Sequence, residues 1–232
     1  MNRNYIKHLR EQVTRIKGMT KGERTSNRIK IATAELLNKM SYKDLRVADI
    51  CHQSGISAGT FYIYYKHKKE VTVEVLNNFA EIYHHKISMH RNEDIFEKIQ
   101  TDNLEYFKLA KDNPGLMSCF LEVGIEDSEV AAFHQAANLK SYKNIVANVI
   151  RNKPDANYDL TLAMVSALGS MMDEVVRRLV LEETPFLTDV LENLHADEES
   201  YCECLSIIWY RTLFGVNPKT VKSKMARDFL EI

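Results

Sequence analysis

Apolar residues recur along this chain at intervals of three and four, the spacing of a helix face. Ile6, Leu9, Val13 and Ile16 make a first stripe, with Gly18 and Gly22 set to end or loosen it. A helix from about Ser26 to Met40 carries Ile29, Thr33, Leu36, Leu37 and Met40 on one face. A second, Val47 to Ser54, turns Val47, Ile50 and Cys51 inward. Gly55-Ile56-Ser57 interrupts the pattern before a short helix from Ala58 to about Tyr65. After Lys68 a long helix carries Val71, Val75, Phe79 and Ile82. Further helical stretches are expected over about 93–112, 114–124, 127–151, 157–183 and 198–214. Asn113-Pro114 and Asn217-Pro218 each fit an N-cap followed by proline in the first turn. The alternating pattern of a strand is not found, nor is an internal repeat, so the expected fold is all-α.

Composition agrees. The 232 residues include only 8 Gly and 4 Pro, with 45% hydrophobic residues, which excludes collagenous and disordered classes. The longest uncharged stretches, Ile50 to Tyr65 and Leu160 to Met172, have 16 and 13 residues, short of the roughly 20 that span a bilayer. Basic residues (Arg3, Lys7, Arg10) appear at once with no apolar core behind them, unlike a secretory signal. The expectation is a soluble cytoplasmic protein without a membrane partner. Four cysteines in a chain this long are not a disulfide framework. The net charge of −1 conceals a balance of +9 over residues 1–70 and −10 over residues 71–232. The first part can attract a polyanion that the second would repel.

Residues 47–65 read as a helix, a three-residue turn containing glycine, and a second short helix. In this helix-turn-helix arrangement the second helix enters the major groove of DNA. Gly55 can take the positive φ that ends the first helix abruptly. Ile50, Ile56, Phe61 and Tyr65 can form the small core between the helices, and Ser57 can cap the second. Ala58 and Gly59 keep its start slim enough for backbone to approach phosphate. Thr60, Tyr62 and Tyr64 are left to face outward, their hydroxyls within reach of phosphates or base edges. Residues 1–24 admit two readings, a helix docked on the body or a basic arm lying along DNA.

On these residues the chain resembles the TetR family of transcriptional regulators over positions 26–76. Ile29, Leu36, Leu37, Tyr42, Val47 and Ile50 fall at the family's spacing. Gly55-Ile-Ser-Ala-Gly-Thr-Phe-Tyr-Ile-Tyr-Tyr is similar to its Gly-Val-Ser-x-Gly-x-Leu-Tyr-x-His-Phe pattern. The resemblance implies a DNA-binding domain at 25–70, behind a basic N-terminal extension at 1–24. It implies phosphate contacts from Tyr62, Tyr64 and Lys68, and a groove-facing surface at Ser57, Ala58, Gly59 and Thr60. The sequence departs from the pattern at Tyr64 (His is frequent), Lys69 (usually acidic), Ser41 (commonly Gly) and Arg46 (a small hydroxyl residue). Arg46 is a candidate to reach a phosphate itself.

For residues 71–232 the resemblance implies a helical ligand-binding and dimerisation domain and a homodimer on a palindromic double-stranded operator. The pairing helices would be 158–183, with Met164, Ala167, Met171, Glu174 and Arg178 in one stripe, and 198–214, with Tyr201, Leu205, Ile208, Trp209 and Thr212. A small-molecule effector, apolar or aromatic, would meet some of Phe107, Met117, Phe120, Leu121, Phe133, His134, Tyr142, Met164, Leu168 and Met172. Such Met and aromatic stripes are also ordinary core. An alternative is a DNA-binding protein of the same type without an inducer, controlled by a protein partner or acting in chromosome organisation.

An enzyme is not expected, and neither a cofactor nor a metal. The chain has no phosphate-binding glycine loop, no Gly-x-Ser-x-Gly and no His-Glu-x-x-His. Cys202 and Cys204 lie about 200° apart on a helix, too far round to chelate one ion.

Overall fold

The computed structural model describes residues 3–89, 94–126, 128–182 and 184–232; the side chains of 83–89, 123–126, 128–134 and 137 lie outside that description. Every regular element among the described residues is helical. In order they are α1 (Tyr5–Arg15), α2 (Lys21–Leu37), α3 (Val47–Ser54), α4 (Ala58–Tyr64), α5 (Lys68–Met89), α6 (Ile95–Asp112), α7 (Pro114–Glu126), α8 (Ser128–Asn152), α9 (Tyr158–Val176), α10 (Pro185–Asn193), α11 (Glu198–Phe214) and α12 (Lys224–Leu230). The chain forms two compact units, Met1–Tyr83 with Leu109–Ala137, and His84–Lys108 with Asn138–Ile232.

In the first unit α2 opens with a reciprocal cap. Thr20 Oγ1 accepts from the Glu23 N–H (3.2 Å), and the Glu23 carboxylate accepts from the Thr20 N–H (2.7 Å). The unit's core gathers Ile29 and Leu37 of α2, Ile50 of α3, Phe61 of α4 and Val71, Val75 and Phe79 of α5, all fully or nearly fully buried. Each such side chain contributes about 1.5–3 kcal/mol of burial.

Helix α1 is docked on this body. It buries Tyr5, His8 and Leu9, while Val13 is half-buried and Ile16 is 57% exposed. Its buried face is therefore rotated toward the N-terminal end of the stripe read from sequence. The Tyr5 hydroxyl donates to the Val75 carbonyl (3.1 Å) and its ring meets Phe79 edge-on at 5.6 Å. Its N–H donates to Asn113 Oδ1 (2.7 Å), and Asn113 Nδ2 donates to the Arg3 and Leu109 carbonyls (2.8 and 2.9 Å). The side chain of Asn113 thus serves α1, not the start of α7.

In the second unit Asn157 caps α9, accepting from the Leu160 N–H at 2.9 Å. The helix runs on through one wider turn, Arg177–Leu181. Along α9, Val165, Leu168, Met172 and Val176 are buried. The face continues with Gly169 and Asp173: a Cβ on Gly169 would stand 2.6 Å from the Tyr142 hydroxyl of α8, and Asp173 Oδ1 accepts from the Tyr106 hydroxyl of α6 at 2.5 Å. Asp197 caps α11 through the Ser200 N–H (2.8 Å). The α12 end of the chain folds back on α11, with Ala226, Met225 and Phe229 against Phe96, Cys204 and Ile207. Glu203, 1% exposed, accepts from the N–H groups of Lys222 (2.7 Å) and Ser223 (2.8 Å).

Candidate nucleic-acid interface

The α3–α4 corner is built from the backbone outward. Gly55 ends α3 at φ 64°, ψ 42°, the left-handed conformation that favours glycine. The Arg28 guanidinium of α2 donates to the carbonyls of Ser54 and Gly55 at this corner. It lies only 2.9 Å from where a Gly55 Cβ would stand. Any larger residue here meets backbone strain and obliges the tip of Arg28 to shift. Ser57 starts α4, its Oγ accepting from the Thr60 N–H (3.2 Å). Phe61 is fully buried and Tyr65 nearly so. The Tyr65 hydroxyl donates to Glu74 Oε2 of α5 (2.8 Å), whose other oxygen takes Lys30 Nζ of α2 (3.1 Å). Burial pushes the Tyr65 phenol pKa up.

With one side of α4 so anchored, the other faces out. Ser57, Ala58 and Gly59 are exposed, Thr60 and Tyr64 half-buried, and Tyr62 is 56% exposed. Ile63, which sequence reasoning passed over, is 78% exposed on the same short helix. A β-branched apolar residue at an outward helical position is the signal that marks it. Arg46 is exposed beside α3, and its N–H donates to Asp49 Oδ2 (3.0 Å). Ser41 is not left-handed; among the described residues His195 alone has a positive φ without being glycine. Its hydroxyl instead accepts from the Asp44 N–H (3.3 Å).

Lys68 is differently employed. Its ammonium donates to the carbonyls of Tyr42 (2.8 Å), Lys43 (3.3 Å) and Leu45 (2.7 Å) and sits 4.6 Å from the centre of the Tyr42 ring. All three of its protons are engaged in tying the α2–α3 loop to the first turn of α5.

A solved structure from Syntrophomonas wolfei, assigned to the TetR-family transcriptional regulators, superposes on the chain with a TM-score of 0.63. It is 15% identical, over 85% of this chain and 98% of the other. The chain has the TetR fold. A TetR-family transcriptional regulator of Chloroflexus aurantiacus is a looser match, at TM-score 0.45 and 14% identity over 95% and 93% of the two chains. No protein-family model matches the sequence, and no curated protein does.

Within the TetR fold the candidate effector residues are divided between the units. Met117 (buried), Phe120 and Leu121 (half-buried) belong to the first. Phe107, Leu168 and Met172 (buried), Tyr142 (half-buried) and Met164 (36% exposed) belong to the second. Phe133 and His134 lie outside the described side chains. An open cavity of about 330 Å³ lies in the first unit, lined by Arg10, Arg28, Glu35 and Gln53 among others. Of the candidate pairing residues, Ala167, Arg178 and Thr212 are exposed, and Met171, Glu174, Tyr201 and Ile208 half-buried. Leu205 and Trp209 face into the unit and are buried. All four cysteines are buried; burial pushes the Cys202 thiol up to about 12 and Cys204 to about 11, the opposite of an activated thiolate. Among the described residues no group of three or more His, Cys, Asp or Glu is placed to hold a metal, and no helix is long and apolar enough to cross a membrane.

Proposed function

We propose that this chain is a sequence-specific DNA-binding transcriptional regulator, a repressor that binds a palindromic operator as a homodimer. The observation that carries the reading is the split of α4 into a buried anchor (Phe61, Tyr65) and a bare outward start (Ser57, Ala58, Gly59) flanked by Tyr62. That is the form a groove-entering helix needs, since backbone and short side chains must come close to DNA before Tyr62, Tyr64 and Arg46 can reach phosphates. In this reading the partner subunit packs against α9 through Met164, Ala167 and Met171 and against α11 through Ile208 and Thr212, side chains that their own unit leaves exposed or half-buried. A small apolar or aromatic effector in the C-terminal helices would release the DNA, by no more than its difference in affinity for the two states.

The test is selection of bound sequences from random duplex DNA, followed by Tyr62→Phe and Gly59→Leu on the winner. The expected result is a palindrome whose binding both changes weaken. Failure to enrich any sequence would overturn the proposal. A second reading has its own observation: Phe186 (67% exposed) on α10 and Leu194 (54%) just after it are large apolar groups facing solvent, as control by a protein partner would require.

A further inference from the structure

Of the two sequence readings of residues 1–24, the docked helix accounts for α1 and leaves open what the basic segment joining α1 to α2 does. With the helix ends that flank it, it carries Arg15, Lys17 and Lys21, all exposed, the Arg15 side chain at 80%. It lies beside the outward face of α4, for a Cβ built on Gly22, next to Lys21, would stand 3.6 Å from the Tyr64 hydroxyl. The turn between the helices is made at Gly18, φ 89°, with open space around it.

This segment is held firmly from below. Met19 is 8% exposed, and its carbonyl takes two bonds from the Arg24 guanidinium (3.1 and 2.9 Å). Thr20 and Glu23 cap one another, and α1 is pinned through Tyr5 and Asn113. The nearby carboxylates are directed to other partners than Lys17 and Lys21. The Glu23 carboxylate is folded onto the Thr20 N–H and hydroxyl, and Glu11 lies 3.7 Å from Arg15. Lys17 and Lys21 are thus long cations on a fixed, sterically open turn, next to a hydroxyl of the proposed DNA-facing surface.

We propose that the α1–α2 turn is a second DNA contact, in which Lys17 and Lys21 meet backbone phosphates outside the stretch read by α4. The inference rests on the DNA-binding reading above. Its chemistry is ammonium to phosphate, so it adds affinity and length of footprint without sequence preference.

The experiment uses the full chain and the operator selected above, in a short duplex ending at the palindrome and a long one with arbitrary flanks. Binding is measured across salt for the wild type and for Lys17→Ala/Lys21→Ala, with Lys39→Ala as a control for loss of a cation elsewhere. The wild type is expected to prefer the long duplex several-fold at low salt, and the double variant to lose that preference. Its slope of log K against log salt should be shallower by about 0.9 for each phosphate it no longer neutralises, with the selected sequence and the thermal midpoint unchanged. Equal slopes and an equal flank preference in wild type and double variant would overturn the inference and leave the function standing. A wild type that binds no duplex above background would overturn both.

Discussion

Asn38, the residue that closes α2, caps α7: its Oδ1 accepts from the N–H groups of Gly115 (3.2 Å) and Leu116 (3.3 Å), across 77 residues of sequence. Asn113, which precedes α7 directly, is spent on α1. The cap of α7 therefore comes from the end of α2 and not from the asparagine beside it, and the two side chains tie α1, α2 and α7 together. Asn38→Ala should cost about 1 kcal/mol, the usual value of a cap, and Asn38→Asp should retain most of it. Gly115→Ala places a Cβ 2.6 Å from the Asn38 Cα; backbone cannot step aside, and a loss of about 1–3 kcal/mol is expected. Urea unfolding of the three variants measures both.

Lys68 and Tyr62 should separate when stability and DNA binding are read together. Lys68→Met keeps the stem but removes a charged donor from three carbonyls, and a loss of about 2 kcal/mol in stability is expected. Because those protons are engaged within the chain, operator affinity should fall with little change in its salt dependence. Tyr62→Phe should leave stability within about 0.5 kcal/mol while weakening the operator complex. A shallower salt slope in Lys68→Met would instead assign its ammonium to a phosphate.

Gly169 is required by its neighbour. The Tyr142 ring lies across it, with Cε1 2.7 Å and Cζ 2.9 Å from an added Cβ. Gly169→Ala should lower the thermal midpoint, and combining it with Tyr142→Ala should recover part of the loss, since the clash leaves with the ring. Calorimetry on the single and double variants gives the coupling.

Asp173 and Glu174 are adjacent yet should respond oppositely to pH. Burial raises the Asp173 carboxyl above its ordinary 3.8, opposed by the bond from Tyr106. The native state then keeps that proton to higher pH than the unfolded chain, so stability falls as pH rises from 3.8 through the raised native value. Glu174 is held down to about 2 by bonds from Arg177 and then Arg178; its contribution is present above its ordinary 4.5 and lost as pH falls toward 2. Asp173→Asn should remove the decline with rising pH and stabilise the protein at pH 7 relative to pH 4. Unfolding curves at pH 4, 5.5 and 7 would show it, and an unchanged pH profile would contradict it.

Most helices and the α3–α4 corner were legible because local rules govern them; α10 and α12 were not foreseen, and Asn217-Pro218 opens no helix, α12 starting instead behind Ser223. Gly55 and Ser57 act on residues within four positions of themselves, and the apolar spacing of α2 and α5 answers to one buried face. What sequence concealed depends on distant partners. Asn113-Pro114 looks like a cap until Tyr5 arrives to claim the asparagine. Arg28 carries no motif, yet it braces the Gly55 corner from α2. Lys68 reads as an available cation because the three carbonyls it binds belong to a loop more than twenty residues earlier. The stripe on α1 was visible, but the helix ends at Arg15 and Ile16 follows it in extended backbone, off the buried face, while Tyr5 and His8 extend that face at the other end. On α11, spacing grouped Leu205 and Trp209 with Tyr201 and Thr212, although the first two point inward: a helix apolar most of the way round offers no sequence signal for which side meets its own unit.

Glu203 gives the end of the helical bundle an all-or-none character. Its carboxylate is shut into α11, and both oxygens depend on N–H groups of Lys222 and Ser223. A chain nicked or terminated ahead of Lys222 would still encode all of α11 but would leave that charge stranded, at a cost of several kcal/mol. Such a fragment should lose much of its stability and become a target for proteases instead of a working shorter protein.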